Sequence, residues 1–523
     1  MIKQLSLKVG SAFFVLFLFF SSAFAQVNKR AITADLNIIA GNKSNVFNEC
    51  IGAGRANEGL RADWQQQLAM IQKDVHFKYI RFHGLLHDDM RVYAEDKKTG
   101  EPIYNWQNID KLYDYLLSIN IKPFVEFGFM PNDLAAGTKT IFWWKANVSK
   151  PKSYEKWDAL ITKLVQHWKE RYGEEELKKW YFEVWNEPDL KGFFDGTQSD
   201  YFELYNHTAK AVKSVSPAYR VGGPATSAIK WIGDFLSYCE TNKLPVDFVT
   251  THDYGTTSVL DEMGTKKQQL KSNRDTIAKD VKSVRGIINA SAYKNAELHF
   301  TEWTTSPSSR DPIHDTYQNA AYILHVLKKV SLYSNSMSYW TFTDIFEEAG
   351  PGQTPFHGGF GLMNLQDIKK PSYWSYKFME ELGKTELKNE DESSYVCKST
   401  NGVQALIWDW THPYQNSYNQ DYFSKEQPSA VKETVKLKVA NVKNGKYRLD
   451  VYKVGYKQND PYSTYLAMGK PSQITKAEVE KFKSLSTGVP IGKIQVNITN
   501  GTFNYELQLR HNDVVFVKLV KAN

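Results

Sequence analysis

Two glutamates stand where strand-like runs give out. One is Glu187, in "WYFEVWNEPDL" (residues 180–190), and the other is Glu302, in "ELHFTEWTTS" (residues 297–306). Each follows a stretch of apolar and aromatic residues that reads as a buried strand. A strand that ends on a functional group is how barrel enzymes place their chemistry. Alone, a glutamate at a strand end reads as a solvated rim residue. As a pair facing one cleft, two carboxyls fit the hydrolysis of a glycosidic bond: one protonates the leaving oxygen and later activates water, while the other attacks the anomeric carbon. In the retaining form of that reaction the two groups sit about 5–5.5 Å apart. The proton donor has to hold its proton until it is needed, so its pKa must be raised, in part by a charged neighbour.

Such a pair needs a frame that brings distant strand ends to one rim. From about residue 45 to 385, short apolar runs alternate with amphipathic stretches. In "NIDKLYDYLLSIN", Ile109, Leu112, Tyr113, Leu116 and Leu117 recur at helical spacing. In "SYEKWDALITKLVQHWKERYG", Trp157, Leu160, Ile161, Leu164, Val165 and Trp168 form one face, with Ser153 as N-cap and Gly173 as stop. Eight strand candidates punctuate the region: Val46–Gly54, Tyr79–His83, Pro123–Phe129, Trp180–Asn186, Arg220–Gly223, Phe248–His252, Leu298–Trp303 and Ser338–Phe342. Eight βα units predict an α/β fold, a (β/α)8 TIM barrel over 45–386, with Glu187 on strand four and Glu302 on strand seven. A dinucleotide-binding fold is disfavoured, because "GAGRAN" lacks the third glycine of that fingerprint.

After residue 387 the texture changes. "TVKLKVANVKNGKYRLDVYKVG" and "GTFNYELQLRHNDVVFVKLVK" alternate apolar and polar residues around turn signals. They predict a second, smaller antiparallel β-sandwich domain over 387–523. The partly alternating "ITADLNIIA" within 26–44 is expected to join it. At the N-terminus, Lys3 and Lys8 precede an apolar run, and Ala23-Phe24-Ala25 supplies a cleavage pattern. Residues 1–25 therefore read as a secretory signal peptide, too short to span a bilayer, and the mature chain is expected in the periplasm or outside the cell. No membrane association and no nucleic acid are expected: the formal charge of +7 is dispersed, without a Lys/Arg block. Three cysteines (Cys50, Cys239, Cys397) exclude a disulfide framework and a zinc pattern, and read as buried free thiols.

The ordered set "GAGRANEGLR", "YIRFHGLLHDDM", "KPFVEFGFMP", "EVWNEPDL", "VGGPAT", "THDYGT", "FTEW" and "YWTFTDIFEE…PFHGGFGLMN" resembles glycoside hydrolase family 39, the β-xylosidase and α-L-iduronidase family. The resemblance covers nearly the whole mature chain. It implies that Glu187 is the acid/base, that Glu302 is the nucleophile, and that Asn186 bonds the sugar 2-hydroxyl. By the same resemblance His83, His252, Tyr254, Trp340, Glu347, Glu348 and Phe356 bind substrate or orient the nucleophile. Arg55 and Arg81, on the first two strands, are read as holding Glu302 ionised through nearby positive charge.

The branches of the family differ in what they must recognise. An iduronidase must hold a substrate carboxylate, which calls for a cation. That branch carries a Lys two positions after its strand-six His, where this chain has Tyr254, and an Arg in the late segment where "PFHGGFGLMN" has none. A neutral pocket with acidic hydroxyl acceptors fits xylose, so the expectation is an exo-acting β-xylosidase working on xylo-oligosaccharide or a related glycoside. An iduronidase-like activity, endo action, and transglycosylation, which uses the same two acids, stay open at this point. So does a homo-oligomer. The mechanism requires no cofactor and no metal. Two rivals lie outside catalysis. A dead sugar-binding barrel would have lost an acid, and both are present. A C-terminal carbohydrate-binding module would need an aromatic platform, for which Trp408 and Trp410 are the candidates.

Overall fold

The computed structural model describes residues 28–413 and 418–522; the signal-peptide expectation for 1–25 lies outside them. Two short strands come first, β1 (Asn28–Asp35) and β2 (Ile39–Asn42). Eight strand–helix units follow. They are β3 (Cys50–Arg55) with α1 (Ala62–Val75), β4 (Tyr79–His83) with α2 (Gln107–Ser118), β5 (Lys122–Phe127) with α3 (Tyr154–Tyr172), and β6 (Tyr181–Val184) with α4 (Gln198–Val215). Then come β7 (Arg220–Thr226) with α5 (Ile232–Thr241), β8 (Phe248–Tyr254) with α6 (Thr276–Asn289), β9 (Glu297–Thr304) with α7 (Tyr317–Val330), and β10 (Ser336–Tyr339) with α8 (Pro371–Glu381). The eight strands pair in parallel in chain order and close where Tyr339 of β10 meets Ile51 of β3. This is the (β/α)8 barrel expected from the alternation of runs. Strand ends shift by a few residues. The first begins at Cys50 rather than Val46, because residues 46–48 form a turn.

The helices form for local reasons. The Ser153 side chain accepts from the Lys156 N–H at the start of α3, a cap worth about 1 kcal/mol. Gly173, at φ +89°, ends that helix. Its buried face is Trp157, Leu160, Ile161, Leu164, Val165 and Trp168, and each such side chain contributes roughly 1.5–3 kcal/mol on leaving water. The buried face of α2 is Ile109, Leu112, Tyr113 and Leu116.

The remaining strands are β11 (Thr385–Leu387), β12 (Ser394–Ser399), β13 (Gly402–Trp408), β14 (Val431–Ala440), β15 (Gly445–Val454), β16 (Gly492–Ile498), β17 (Thr502–Arg510) and β18 (Val514–Lys521). They make a seven-stranded sheet, β2-β11-β12-β13-β18-β15-β16, facing a three-stranded one, β1-β14-β17. Ile32, Val396, Leu437, Leu449, Leu507 and Val517 pack between the two sheets. One pairing departs from the antiparallel pattern: β1 runs parallel to β14, with Ile32 opposite Leu437. A strand arriving from the far end of the chain has no hairpin to reverse it. Two helices, Pro461–Ala467 and Lys476–Leu485, interrupt the sandwich between β15 and β16; strand periodicity did not announce them. Trp408 and Trp410 are at most 1% exposed, and Trp410 packs edge-on against Tyr322 of α7. They join the two domains and offer no platform. All three cysteines are free and buried. Among the described residues, no helix is long and apolar enough to cross a membrane.

Candidate active site

Alternate residues of a strand point the same way, so the barrel interior builds in layers. The lowest is apolar, with Cys50, Tyr79, Phe124, Tyr181 and Phe248 packed together. Two residues further along β4, β5 and β6 the interior turns ionic, at Arg81, Glu126 and Glu183, none more than 1% exposed. Beyond Val184 the chain leaves extended geometry: Trp185 and Glu187 take φ values of +69° and +43°. That left-handed region costs a non-glycine residue roughly 1–2 kcal/mol. Its surroundings hold it there. The Glu187 N–H donates to the Ala225 carbonyl of β7 (2.8 Å), and the Trp185 indole donates to the Phe193 carbonyl (2.9 Å). The turn brings Asn186 and Glu187 to the mouth of the barrel.

Glu302, near the end of β9, sits among positive groups. Its Oε1 accepts from the Arg81 guanidinium (2.9 Å) and lies 3.3 Å from His83 Nε2, while its Oε2 accepts from the Tyr254 hydroxyl (2.7 Å). Burial alone would raise its pKa. His252 when charged, His83 and Arg81 together outweigh burial and hold the Glu302 carboxyl well below the usual range. Arg81 is itself fully buried and pairs with Glu126 (2.9 Å) and Glu183 as well as Glu302. The planar fork of a guanidinium can serve several carboxylates at once. Burial works against a charge on His83, but Glu126, 2.6 Å from Nδ1, and Glu302 push its pKa up to about 10.

Glu187 has no such company. Its Oε1 lies 3.0 Å from His252 Nδ1. Burial, with the charges of Glu302 and Asp189, raises its pKa, and the contact with His252 opposes the rise when that ring is charged. Oxygens of Glu187 and Glu302 and a ring nitrogen of His252 all lie within 4.8 Å of one another. Two carboxyls at this spacing match the roughly 5–5.5 Å of a retaining pair and not the roughly 6.5–9.5 Å of an inverting one. The trio has the spacing of a metal site as well. However, Arg81 and charged His83 stand beside it, and that field opposes a cation.

Above the pair opens a cavity of about 200 Å³. Its wall is His83, Asn186, Glu187, Leu190, Phe193, Tyr254, Glu302, Pro307, Trp340, Glu348 and Phe360. Among the described residues no Lys or Arg belongs to that wall. Sites for drug-sized ligands run about 300–1,000 Å³, so this volume suits one sugar ring better than a chain of them. Burial, with the nearby Glu302, Glu58 and Glu187, pushes the Glu348 carboxyl up to about 8 against the pull of His83. Its buried Oε1 lies 3.5 Å from His83 Nε2 and accepts no hydrogen bond among the described residues.

The sequence pattern described as Glycosyl hydrolases family 39 matches residues 33–500. The chain belongs to glycosyl hydrolase family 39. It is therefore an O-glycosyl hydrolase acting on a carbohydrate substrate. A β-xylosidase of Geobacillus stearothermophilus is 37% identical over 480 residues, covering 90% of this chain and 92% of that one. A crystal structure of a family 39 enzyme from Xanthomonas axonopodis pv. citri superposes with a TM-score of 0.93 at 38% identity, over 97% of this chain and all of that one. A monomeric β-xylosidase from Caulobacter crescentus CB15 superposes with a TM-score of 0.92 at 40% identity, over 94% of this chain and all of that one. Human α-L-iduronidase is more distant, 27% identical over 40% of this chain and 33% of its own.

In this family 39 enzyme the geometry gathers Asn186, Glu187, His83, His252, Tyr254, Glu302, Trp340, Glu348 and Arg81, and it corrects three readings. Arg55 does not reach Glu302: it pairs with Asp89 and Glu347 and lies 4.8 Å over the Trp144 ring. Of the two arginines only Arg81 contacts Glu302: Arg55, level with His83 at the end of β3, is taken by Asp89 and Glu347 instead. Glu347 turns away from the cavity to Arg61 (2.8 Å) and Arg55 (3.1 Å), as its neighbour in sequence Glu348 turns in. Phe356 packs on Tyr462, Tyr465 and Phe482 of the second domain, 5.1–5.9 Å between rings. Gly358, at φ +76° with its N–H on Asp315 (2.8 Å), reverses the chain so that Phe360 takes the wall position instead. A Cβ at Gly358 would lie 2.5 Å from the Asp311 backbone.

Sequence reasoning missed Glu126, Glu183, Thr301, Phe193 and Phe360. The first two carried a signal: each is a lone carboxylate at an inward position of a strand otherwise apolar, in "KPFVEF" and "WYFEVW". A charge there is tolerated only if it is paired, and Arg81 is the partner.

Proposed function

We propose that the chain is an exo-acting β-xylosidase that releases xylose from the non-reducing ends of xylo-oligosaccharides or related glycosides, with retention of configuration. The observation that carries this reading is two carboxyls within 4.8 Å whose surroundings push one pKa up and the other down, beneath a one-ring pocket whose wall holds no Lys or Arg among the described residues. Ionised Glu302 attacks the anomeric carbon as protonated Glu187 gives its proton to the leaving oxygen. A water then enters, Glu187 takes its proton, and its oxygen displaces Glu302 from the sugar. Asn186 Oδ1 accepts from Arg81 (2.9 Å), which leaves the amide N–H groups for the sugar 2-hydroxyl. The Glu348 carboxyl on the wall, its Oε1 3.5 Å from His83 Nε2, suits another hydroxyl. A substrate carboxylate, as in an iduronide, would find no guanidinium or ammonium among the described residues of the wall, and the charged imidazole there, His83, is already paired with Glu126 and Glu302.

The test is a panel of p-nitrophenyl glycosides headed by β-xyloside and α-L-iduronide, with Glu302→Ala alongside. Turnover of the β-xyloside by the unaltered enzyme alone is expected. Preference for the iduronide would overturn the neutral-pocket reading. Export belongs to the same proposal, supported by the leader-like residues 1–25; N-terminal sequencing of secreted protein starting near Gln26 is expected, and recovery of uncleaved protein from the cell interior would reject it.

A further inference from the structure

The proton of Glu187 has a second line of residues behind it. His252 is fully buried and uses both ring nitrogens: Nδ1 faces Glu187 Oε1 at 3.0 Å, and Nε2 faces Thr301 Oγ1 at 3.2 Å. The Thr301 hydroxyl donates to Glu183 Oε1 at 2.8 Å. A hydroxyl has one proton, and a carboxylate only accepts. With that proton committed to Glu183, Thr301 can only accept from His252, so the ring proton belongs on Nε2. Glu183 cannot turn to another partner, because its Oε2 is held by Arg81 Nε.

We infer that Glu183 and Thr301 are positioning residues that fix the Nε2–H tautomer of His252 and so set the proton affinity of Glu187. The inference rests on Glu187 being the acid/base. A neutral His252 in that tautomer presents the Nδ1 lone pair to Glu187. The pairing is favourable when the carboxyl carries its proton and unfavourable when it has lost it. Glu187 thus starts each cycle protonated and, once ionised, draws the proton back from water. No atom changes hands in the relay; it biases a transfer already assigned to Glu187. Glu302 depends on it less, since Arg81 and charged His83 reach that carboxylate directly while His252 Nδ1 stands 3.6 Å from it.

Other groups face the pair. Glu302 Oε2 lies 3.6 Å from His252 Nδ1. Asp189 acts on Glu187 from its own loop. Tyr254 and Glu348 border the same cavity, and His83 and Arg81 come from β4. Thr301→Val alters none of these and removes only the hydroxyl.

The experiment is the pH profile of kcat/KM for Thr301→Val and Thr301→Ser on two aryl β-xylosides, one with a good and one with a poor leaving group. Loss of the acceptor frees His252 to place its proton on Nδ1 and donate to Glu187, which favours the ionised carboxyl. The basic limb of Thr301→Val is expected to move toward acid by about one unit. The acid limb should move less than the basic one, and at neutral pH the poor substrate should lose about tenfold more than the good one. Thr301→Ser should match the unaltered enzyme. If Thr301→Val does not fold, Thr301→Ala makes the same deletion. An unmoved basic limb, or an equal shift in Thr301→Ser, would overturn the inference. Azide rescue of Glu187→Ala separates the two levels. With rescue present, an unmoved limb sinks only the relay; without rescue, the acid/base assignment fails and the relay with it.

Discussion

Glu187 and Glu302 leave strands on two sides of one barrel, and both are nearly sealed from water, at 8% and 4% exposure. They differ in what surrounds them. Glu302 has a guanidinium, a charged imidazole and a tyrosine hydroxyl on its two oxygens. Glu187 has one imidazole, with two carboxylates acting on it besides. Burial raises the pKa of both, and only on the Glu302 side is there enough positive charge to reverse it. Side-chain type is identical at the two positions, so the proposed division into nucleophile and proton donor rests on the neighbours.

That contrast is broken most severely at Glu302. Glu302→Ala should lose turnover on the order of 10⁴-fold or more, and a good leaving group should not restore it, since no attack on carbon remains. Substantial turnover of p-nitrophenyl xyloside would reject the nucleophile. Glu187→Ala should instead cost about 10²–10⁴-fold on a poor leaving group and much less on an activated one. Azide should rescue it with a β-glycosyl azide as product. An azide of inverted configuration would mean that the two roles, or the retaining pathway, are wrong.

Arg81→Lys sharpens the contrast without abolishing it. A positive charge remains, but the fork that reaches Glu302, Glu126, Glu183 and Asn186 is lost. Glu302 should then ionise less readily, moving the acid limb of kcat/KM to higher pH and lowering the plateau about 10–100-fold. The basic limb, which reports Glu187, should stay. Movement of both limbs would show that the two halves are not separable.

Glu348 tests the Glu187 kind of environment away from the chemistry. An unfolded glutamate loses its proton near pH 4.3, whereas the native carboxyl keeps it to about 8. Between those values folding takes up a proton, so the group costs stability as pH rises. Glu348→Gln should therefore be more stable than the unaltered protein at pH 8, on the order of a few kcal/mol, and equal to it near pH 4. KM for the xyloside should rise about tenfold. Denaturant melts at the two pH values settle the sign, and a difference independent of pH would show that the carboxyl is ionised throughout.

The barrel was legible in the sequence because its signal is repeated eight times, each strand apolar and each helix one-sided. Glu187 and Glu302 were legible as a pair on strands four and seven, with Asn186 directly before the first; either alone reads as a solvated rim residue. The interior relay was not, since Glu183 and Thr301 become partners only when β6 and β9 are brought into one barrel. Arg55 and Arg81 look equivalent in sequence, and the partners that separate them, Asp89 and Glu347 for the first and Glu302 for the second, meet them only in the folded barrel. The helices at 461–467 and 476–485 lie inside a run of strands and are too short for helical periodicity to stand out.

The same blindness to chain direction makes the last test. Phe356 and Phe360 are four residues apart, and the left-handed turn at Gly358 sends their rings to opposite sides. Phe356 is 5% exposed against Tyr462, Tyr465 and Phe482, and Phe360 is 2% exposed on the cavity wall beside Phe346. Phe356→Ala should cost about 3–5 kcal/mol of stability and leave KM for the xyloside unchanged below the unfolding temperature. Phe360→Ala removes part of the wall and should raise KM while costing a similar amount of stability. Equal melting losses with unequal KM would separate packing from binding on one short loop. A raised KM for Phe356→Ala alone would return that ring to the sugar and put the turn at Gly358 in question.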